Sequence, residues 1–267
     1  MKDKWLKEVE RHYQEALKIY SPNQIVTICL QGSQNYGLET DTSDVDTKCI
    51  LTPSFEEIAL GKKMVSTTHI LDNNEHLDAK DIRLYCDCFK KQNLNFLEIL
   101  FTPYCIINPL YKEQWMRLVT KREEIARMNP YRAIKSMKGI ALEKYHAMEH
   151  PYPSKLDIIK KYGHDGKQTS HLIRVDDYLE RYINGEPYGD CLHPSPSKVE
   201  RILAYKRHEI SLGEARIEAQ EVLAHATAIA DAFCEGHEEV EDAEMRALLE
   251  SVQYEIMKIA IQEELKL

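Results

Sequence analysis

The chain has 267 residues, 30% of them charged and 43% hydrophobic. That is enough to bury a core and too apolar for disorder. No apolar run approaches the ~18 residues of a membrane span, and the start MKDKWLKEVE lacks the apolar stretch of a secretion signal. The seven cysteines, without scaffold spacing, therefore read as reduced thiols of a cytoplasmic protein. The net charge of −9 disfavours a general nucleic-acid coat. The distribution is uneven: Tyr111 to Arg174 holds 14 Lys/Arg against 7 Asp/Glu, and Gly236 onward holds 3 against 9.

In chain order, Trp5, Val9, Tyr13, Leu17 and Tyr20 recur every three or four residues and predict an amphipathic helix over 3–20. Ser21-Pro22-Asn23 ends it. Ile25 to Leu30 is short, apolar and β-branched, the pattern of a buried strand. A loop rich in Gly, Ser, Asn and Asp runs to Ser43. From Asp44 to Leu51 the chain alternates, with Asp44, Asp46 and Lys48 on one face and Val45, Thr47 and Cys49 on the other. Pro53 stops that strand. His76 to Lys80 predicts a third strand, and Asp81 caps a helix running to about Leu100. After Pro103 the chain reads as helices over 111–127, 131–150, 154–162, 167–184, 211–235 and 239–265, with a loop at 184–189. The expected class is α+β: a small mixed sheet in residues 1–110, then an all-helical region over 111–267.

The strongest chemical signal is Gly32-Ser33 followed by Asp44-Val45-Asp46. Two carboxylates at i and i+2 of a strand point to the same face. Their repulsion is relieved by a cation between them. Oxygen-only ligation suits Mg²⁺ or Mn²⁺, with substrate phosphates completing the shell. Gly32 lets a phosphate approach the backbone, Ser33 offers a hydroxyl, and a helix beginning at Gln34 would add a favourable dipole. A third carboxylate would complete a two-metal site. Asp78 is the first candidate; Glu75 and Asp81 are the alternatives.

The stretch Gly32-Ser33-Gln34-Asn35-Tyr36-Gly37-Leu38 through Ser43-Asp44-Val45-Asp46 resembles the DNA polymerase β-like nucleotidyltransferase superfamily. Tyr36-Gly37-Leu38 and Ser43 make it look like a narrower group, predicted nucleotidyltransferases associated with RNA repair in bacteria and phages. Asp81-Ile82-Arg83, the segment Asn95 to Phe101, and Lys167-Gln168-Thr169-Ser170-His171-Leu172-Ile173-Arg174 are similar to later motifs of that group. The resemblance implies transfer of an NMP from an NTP, ATP among the candidates, to a hydroxyl. An RNA or tRNA 3′ end is the favoured acceptor; a protein or small molecule is the alternative. A non-catalytic protein of the same fold, of toxin–antitoxin type, is a second class. In many relatives an acid lies slightly upstream of Asp-Ile-Arg, where this chain has His76.

Helical spacing puts Lys167, His171, Arg174 and Tyr178 on one face and Leu172, Val175, Leu179 and Tyr182 on another. The first set suits a triphosphate or a nucleic-acid backbone. Tyr36 and Lys138, placed similarly in relatives, join the candidate nucleotide-binding residues. Three further patterns carry less weight. His146-Ala147-Met148-Glu149-His150 matches an inverted zinc-peptidase pattern, but Pro151 follows at once. Cys86 and Cys88 diverge on a helix. Arg201 and His208 have a spacing used by RNA-cleaving helical domains without the polar residue that accompanies it.

Overall fold

The computed structural model describes residues 2–41 and 43–266. Thr42, inside the Gly-Ser to Asp-x-Asp stretch, lies outside the described residues, as do both terminal residues. The elements follow in chain order: α1 (Lys2–Leu17), β1 (Ile25–Gln31), β2 (Asp46–Leu51), α2 (Phe55–Ala59), β3 (Ser66–Ile70), β4 (His76–Asp81), α3 (Ile82–Lys90), α4 (Leu94–Leu97) and β5 (Cys105–Ile107). Helices α5 (Lys112–Thr120), α6 (Arg122–Ala126), α7 (Pro130–Ala147), α8 (Leu156–Tyr162), α9 (Gly166–Ile183), α10 (Tyr188–Cys191), α11 (Pro196–Lys206), α12 (Leu212–Gly236) and α13 (Ala243–Glu264) complete the chain. The fold is α+β, a five-stranded mixed sheet followed mostly by helices. No helix among the described residues is long and apolar enough to cross a membrane.

The chain forms two compact units. They do not divide at residue 110. The first unit joins the chain up to Asn35, the stretch ending at Met128, and the chain from Glu241 on; the second joins Tyr36–Asp41 to Asn129–Val240. The acidic C-terminal helix α13 therefore belongs with the sheet, packing on α3 and α5.

In the first unit the strand order is β3-β4-β2-β1-β5. β1 runs antiparallel to β2 and β5, β3 antiparallel to β4, and β2 parallel to β4. The parallel pair requires a crossover, which the segment carrying α2 and β3 supplies. Helix α1 lays Trp5, Val9 and Ala16 on one sheet face against Ile28, Leu30, Cys49, Leu77 and Ala79. The period-two alternation of β2 and β4 thus sends Asp46, Lys48, His76, Asp78 and Lys80 to the other face. The predicted helix from Asp81 to Leu100 is broken: Gln92 adopts φ +54° and Asn93 caps a new turn.

In the second unit α9 is central, packing against α7, α11 and α12. Leu172, Val175, Leu179 and Tyr182 are buried as the spacing predicts. So is Tyr178, 2% exposed, which corrects its assignment to the polar face: a helix surrounded on three sides buries more than one stripe. Close packing explains Gly166, since a Cβ there would come within 2.1 Å of the Tyr205 carbonyl oxygen.

Candidate active site

The site is built by strand register. Gln31 at the end of β1 pairs with Asp46 at the start of β2, and Thr47 pairs with Leu77 on β4. Asp46 therefore stands beside His76. The contact is close: the His76 backbone N–H donates to Asp46 Oδ1 at 2.9 Å, and His76 Nδ1 lies 3.0 Å from the same oxygen. With Nδ1 as donor, both bonds fall on one carboxylate oxygen. The two side chains remain open to solvent, at 35% for Asp46 and 45% for His76. Asp44 is exposed in the extended segment entering β2.

Gly32 follows Gln31 with φ +110°, a conformation L side chains rarely adopt. Ser33 opens a single 3-10 turn, Ser33–Asn35, too short for the helix dipole expected from the sequence. Gln34 is 5% exposed. Its Nε2 donates to the Asp44 carbonyl at 2.6 Å, while its Oε1 is buried and has no hydrogen-bond partner. That oxygen lies 3.0 Å from where a Cβ on Gly32 would sit. Asn35 ties the turn down, donating to the Leu30 carbonyl at 3.0 Å and accepting from Thr102 at 2.7 Å.

Asp78 stands two pairs deeper, in register with Lys48. It accepts from Thr68 Oγ1 at 3.2 Å and forms an ion pair with Lys80. Lys48 is 2% exposed, 3.9 Å from Glu98 and 4.5 Å from the Phe96 ring centroid. Burial pulls its pKa down, against the opposing pull of Glu98 and Asp78. Asp78 is thus part of a partly buried network of alternating charges. The two alternative acids are also engaged elsewhere. Glu75 bonds His12 Nε2 at 2.9 Å and pairs with Arg11, and these bonds hold its carboxyl below the ordinary range despite partial burial. Asp81 caps α3, accepting from the Arg83 backbone at 2.8 Å and its guanidinium at 2.6 Å. The structure brings Gly32, Gln34, Asp44, Asp46 and His76 together; the place beside Asp46 is held by an imidazole, not a third carboxylate.

Among the described residues no three His, Cys, Asp or Glu side chains converge to hold a metal by themselves. Two carboxylates, Asp44 and Asp46, fit an ion that completes its shell with water and phosphate oxygens, the habit of Mg²⁺. The unpartnered Gln34 oxygen agrees, because it can accept from water on such an ion.

In the second unit Lys167, His171 and Arg174 share a face of α9. Burial and the charges of Arg174, Lys144, Lys167 and Lys206 push the His171 pKa well below its ordinary value. Arg174 lies over the Tyr36 ring at 4.3 Å, and Tyr36 meets His193 edge-on. Lys206, at the end of α11, donates to the Leu38 carbonyl. Its pKa is lowered to about 8, by burial first and then by Lys167 and Arg174, with Glu39 opposing. Lys138 lies outside this group and pairs with Asp231 at 2.5 Å.

Lys206 and Gln34 were not singled out by sequence reasoning. Lys206 ends a helix whose apolar pattern is weak, and Gln34 is one polar residue in a polar loop. Of the lesser patterns, Arg201 is held by Glu218, its Nε and Nη2 both donating to Oε2 at 2.9 and 2.5 Å, and α7 ends before His150.

Among solved structures the chain is similar to a nucleotidyltransferase-like protein from Exiguobacterium sibiricum 255-15, at 11% identity and a TM-score of 0.33, over 84% of this chain and 74% of that one. No family model and no curated protein matches.

Proposed function

We propose that the protein is a nucleotidyltransferase that moves an NMP from an NTP to a hydroxyl acceptor. The observation that carries this is the pair Asp44 and Asp46 at the open end of the sheet, beside the left-handed backbone of Gly32. Asp44 and Asp46 would hold a Mg²⁺ or Mn²⁺. When bound, that ion supplies positive charge to the triphosphate and to the leaving pyrophosphate. The chain's own residues do the rest. Gly32 leaves the backbone open to a phosphate, and Ser33 offers it a hydroxyl. His76 orients Asp46 through Oδ1 and leaves Oδ2 for the ion. Lys167, His171, Arg174 and Lys206 form the phosphate-binding face of the second unit. Catalysis on this reading is chiefly positioning and electrostatic stabilisation.

An RNA 3′ end, tRNA included, is the acceptor this reading favours. What supports it is the basic stretch from Tyr111 to Arg174 in an otherwise acidic chain, together with the sequence resemblance. The deciding experiment incubates the protein with each α-labelled NTP, Mg²⁺ or Mn²⁺, and total RNA or protein. Label in RNA that depends on the ion and on Asp46 supports the proposal. Label in protein or a small molecule moves the acceptor. Absence of label with every acceptor overturns the enzymatic reading in favour of a nucleotide-binding regulator.

A further inference from the structure

The short edge strand β5 meets β1 with two cysteines directly opposed: Cys29 and Cys105 are register partners. Antiparallel pairs alternate between hydrogen-bonded and non-hydrogen-bonded positions. Here the Leu30 N–H donates to the Tyr104 carbonyl at 2.9 Å and the Asn108 N–H to the Val26 carbonyl at 3.0 Å. The even-numbered residues of β1 therefore make the ladder bonds, and Cys29 and Cys105 occupy a non-hydrogen-bonded position. At such positions the Cα atoms are about 4.5 Å apart and the side chains are closest. A disulfide needs a Cα separation of ~4.4–6.8 Å, so the pair falls at the short end of the permitted range. Both are free thiols, and no other two cysteines among the described residues are register partners.

We propose that Cys29 and Cys105 are a reversible oxidation site, closing a cross-strand disulfide between β1 and β5 under hydrogen peroxide. The two thiols have different roles. Cys105 is half-exposed on the edge strand, whereas Cys29 is fully buried. Facing each other across the register, the two thiols perturb one another: Cys29 lowers the Cys105 pKa, while Cys105 and burial raise that of Cys29. Cys105 is accordingly the attacking thiolate. Its sulfur takes one peroxide oxygen: an S–O bond forms, the O–O bond breaks and hydroxide leaves, giving a sulfenic acid. Cys29 gives up its proton and attacks that sulfur. The S–S bond forms and the sulfenic oxygen departs as water. In sum two thiols are oxidised and one peroxide is reduced to two waters.

The test uses the full chain. After hydrogen peroxide treatment under native conditions, the free-thiol count is expected to fall from seven to five. The intact mass should drop by two hydrogens, and proteolysis should release a peptide joining Cys29 to Cys105. Dithiothreitol should restore all seven. In Cys29→Ala, a sulfenic-acid probe should instead label Cys105, while Cys88→Ser should leave the linkage unchanged. Mapping on the wild type does not depend on whether the variants fold. A linkage joining any other pair, or Cys29 and Cys105 both still free at a peroxide dose that oxidises Cys88 or Cys234, overturns the proposal.

Discussion

The acidic edge of the first unit and the cationic face of the second handle repulsion between like charges in different ways. Asp44 and Asp46 stay in contact with solvent, and Asp46 shares one oxygen with a neighbouring imidazole. Solvent exposure and hydrogen bonding from His76 moderate the repulsion between them. The group around His171 and Lys206 is more enclosed. There the cost is visible in the bases themselves, both of which are held below their ordinary pKa by burial and by neighbouring positive charge. Solvated like charges can wait for a ligand. Desolvated ones lose protons, and an arriving anion must restore them.

The largest effect should come from breaking the acidic edge. Asp44→Ala and Asp46→Ala are each expected to lower nucleotide transfer by roughly a hundredfold or more, because a bound ion contributes several kcal/mol to charge stabilisation. Both residues are at least partly exposed, so circular dichroism and thermal melting should stay near wild type. Near-normal transfer in a folded variant would remove the acidic edge from the mechanism.

Breaking the cationic face should cost less. Lys167→Ala combined with Arg174→Ala removes two donors, each worth about 1.5–3 kcal/mol where a charged group accepts. On the reading above, NTP affinity falls at least tenfold, while the RNA salt dependence barely changes. If instead the face guides RNA, the double variant flattens the dependence of RNA affinity on salt, whose log–log slope is roughly −0.7 per neutralised phosphate for single strands. Titrations of NTP and RNA at two salt concentrations separate these outcomes.

Asp78 sharpens the contrast within one sheet face. It continues the row begun by Asp46 and His76, but Lys80, Thr68 and the buried Lys48 surround it. Asp78→Asn should lower unfolding stability by roughly 1–3 kcal/mol, the scale of a lost charged partner in a partly buried network. Transfer should fall only as far as the folded fraction does. Loss of transfer in a stable Asp78→Asn would restore it as the third acid.

How far the sequence disclosed these features follows from their physics. β1 and β2 announced themselves because a buried strand must be apolar and a half-buried one must alternate. β3, Ser66–Ile70, did not: it is an exposed polar edge strand held by pairing with β4. β5 is only three residues long, below the length at which period-two patterning can be read. Carboxylates at i and i+2 made Asp44 and Asp46 visible. The neighbour of Asp46, however, is decided by the register of β2 on β4, and a shift of two residues exchanges His76 for Asp78. Helix α11 pairs several polar residues with few apolar ones, so Lys206 carried no signal. The passage of Tyr36–Asp41 into the second unit depends on long-range packing that no local pattern encodes.

The smallest expected effect tests the cationic face through pH. The Lys206 pKa is about 8 in the folded chain, against 10.5 for an ordinary lysine. Between those values the unfolded chain holds the proton that the folded chain has released. Stability contributed at this site therefore rises with pH through that window and is lowest below it. Lys206→Met has no such proton, so the wild type should gain on the variant as pH increases, by on the order of a degree or two in Tm. Taking the difference between the two proteins cancels the titration of every other lysine and tyrosine. A bound triphosphate should reverse the trend, drawing the Lys206 pKa back up and taking a proton from solution. Calorimetry at pH near 8, in two buffers of different ionisation enthalpy, would register that uptake in the wild type and its loss in Lys206→Met. Equal Tm differences at every pH, with no proton uptake, would place Lys206 outside the phosphate-binding face.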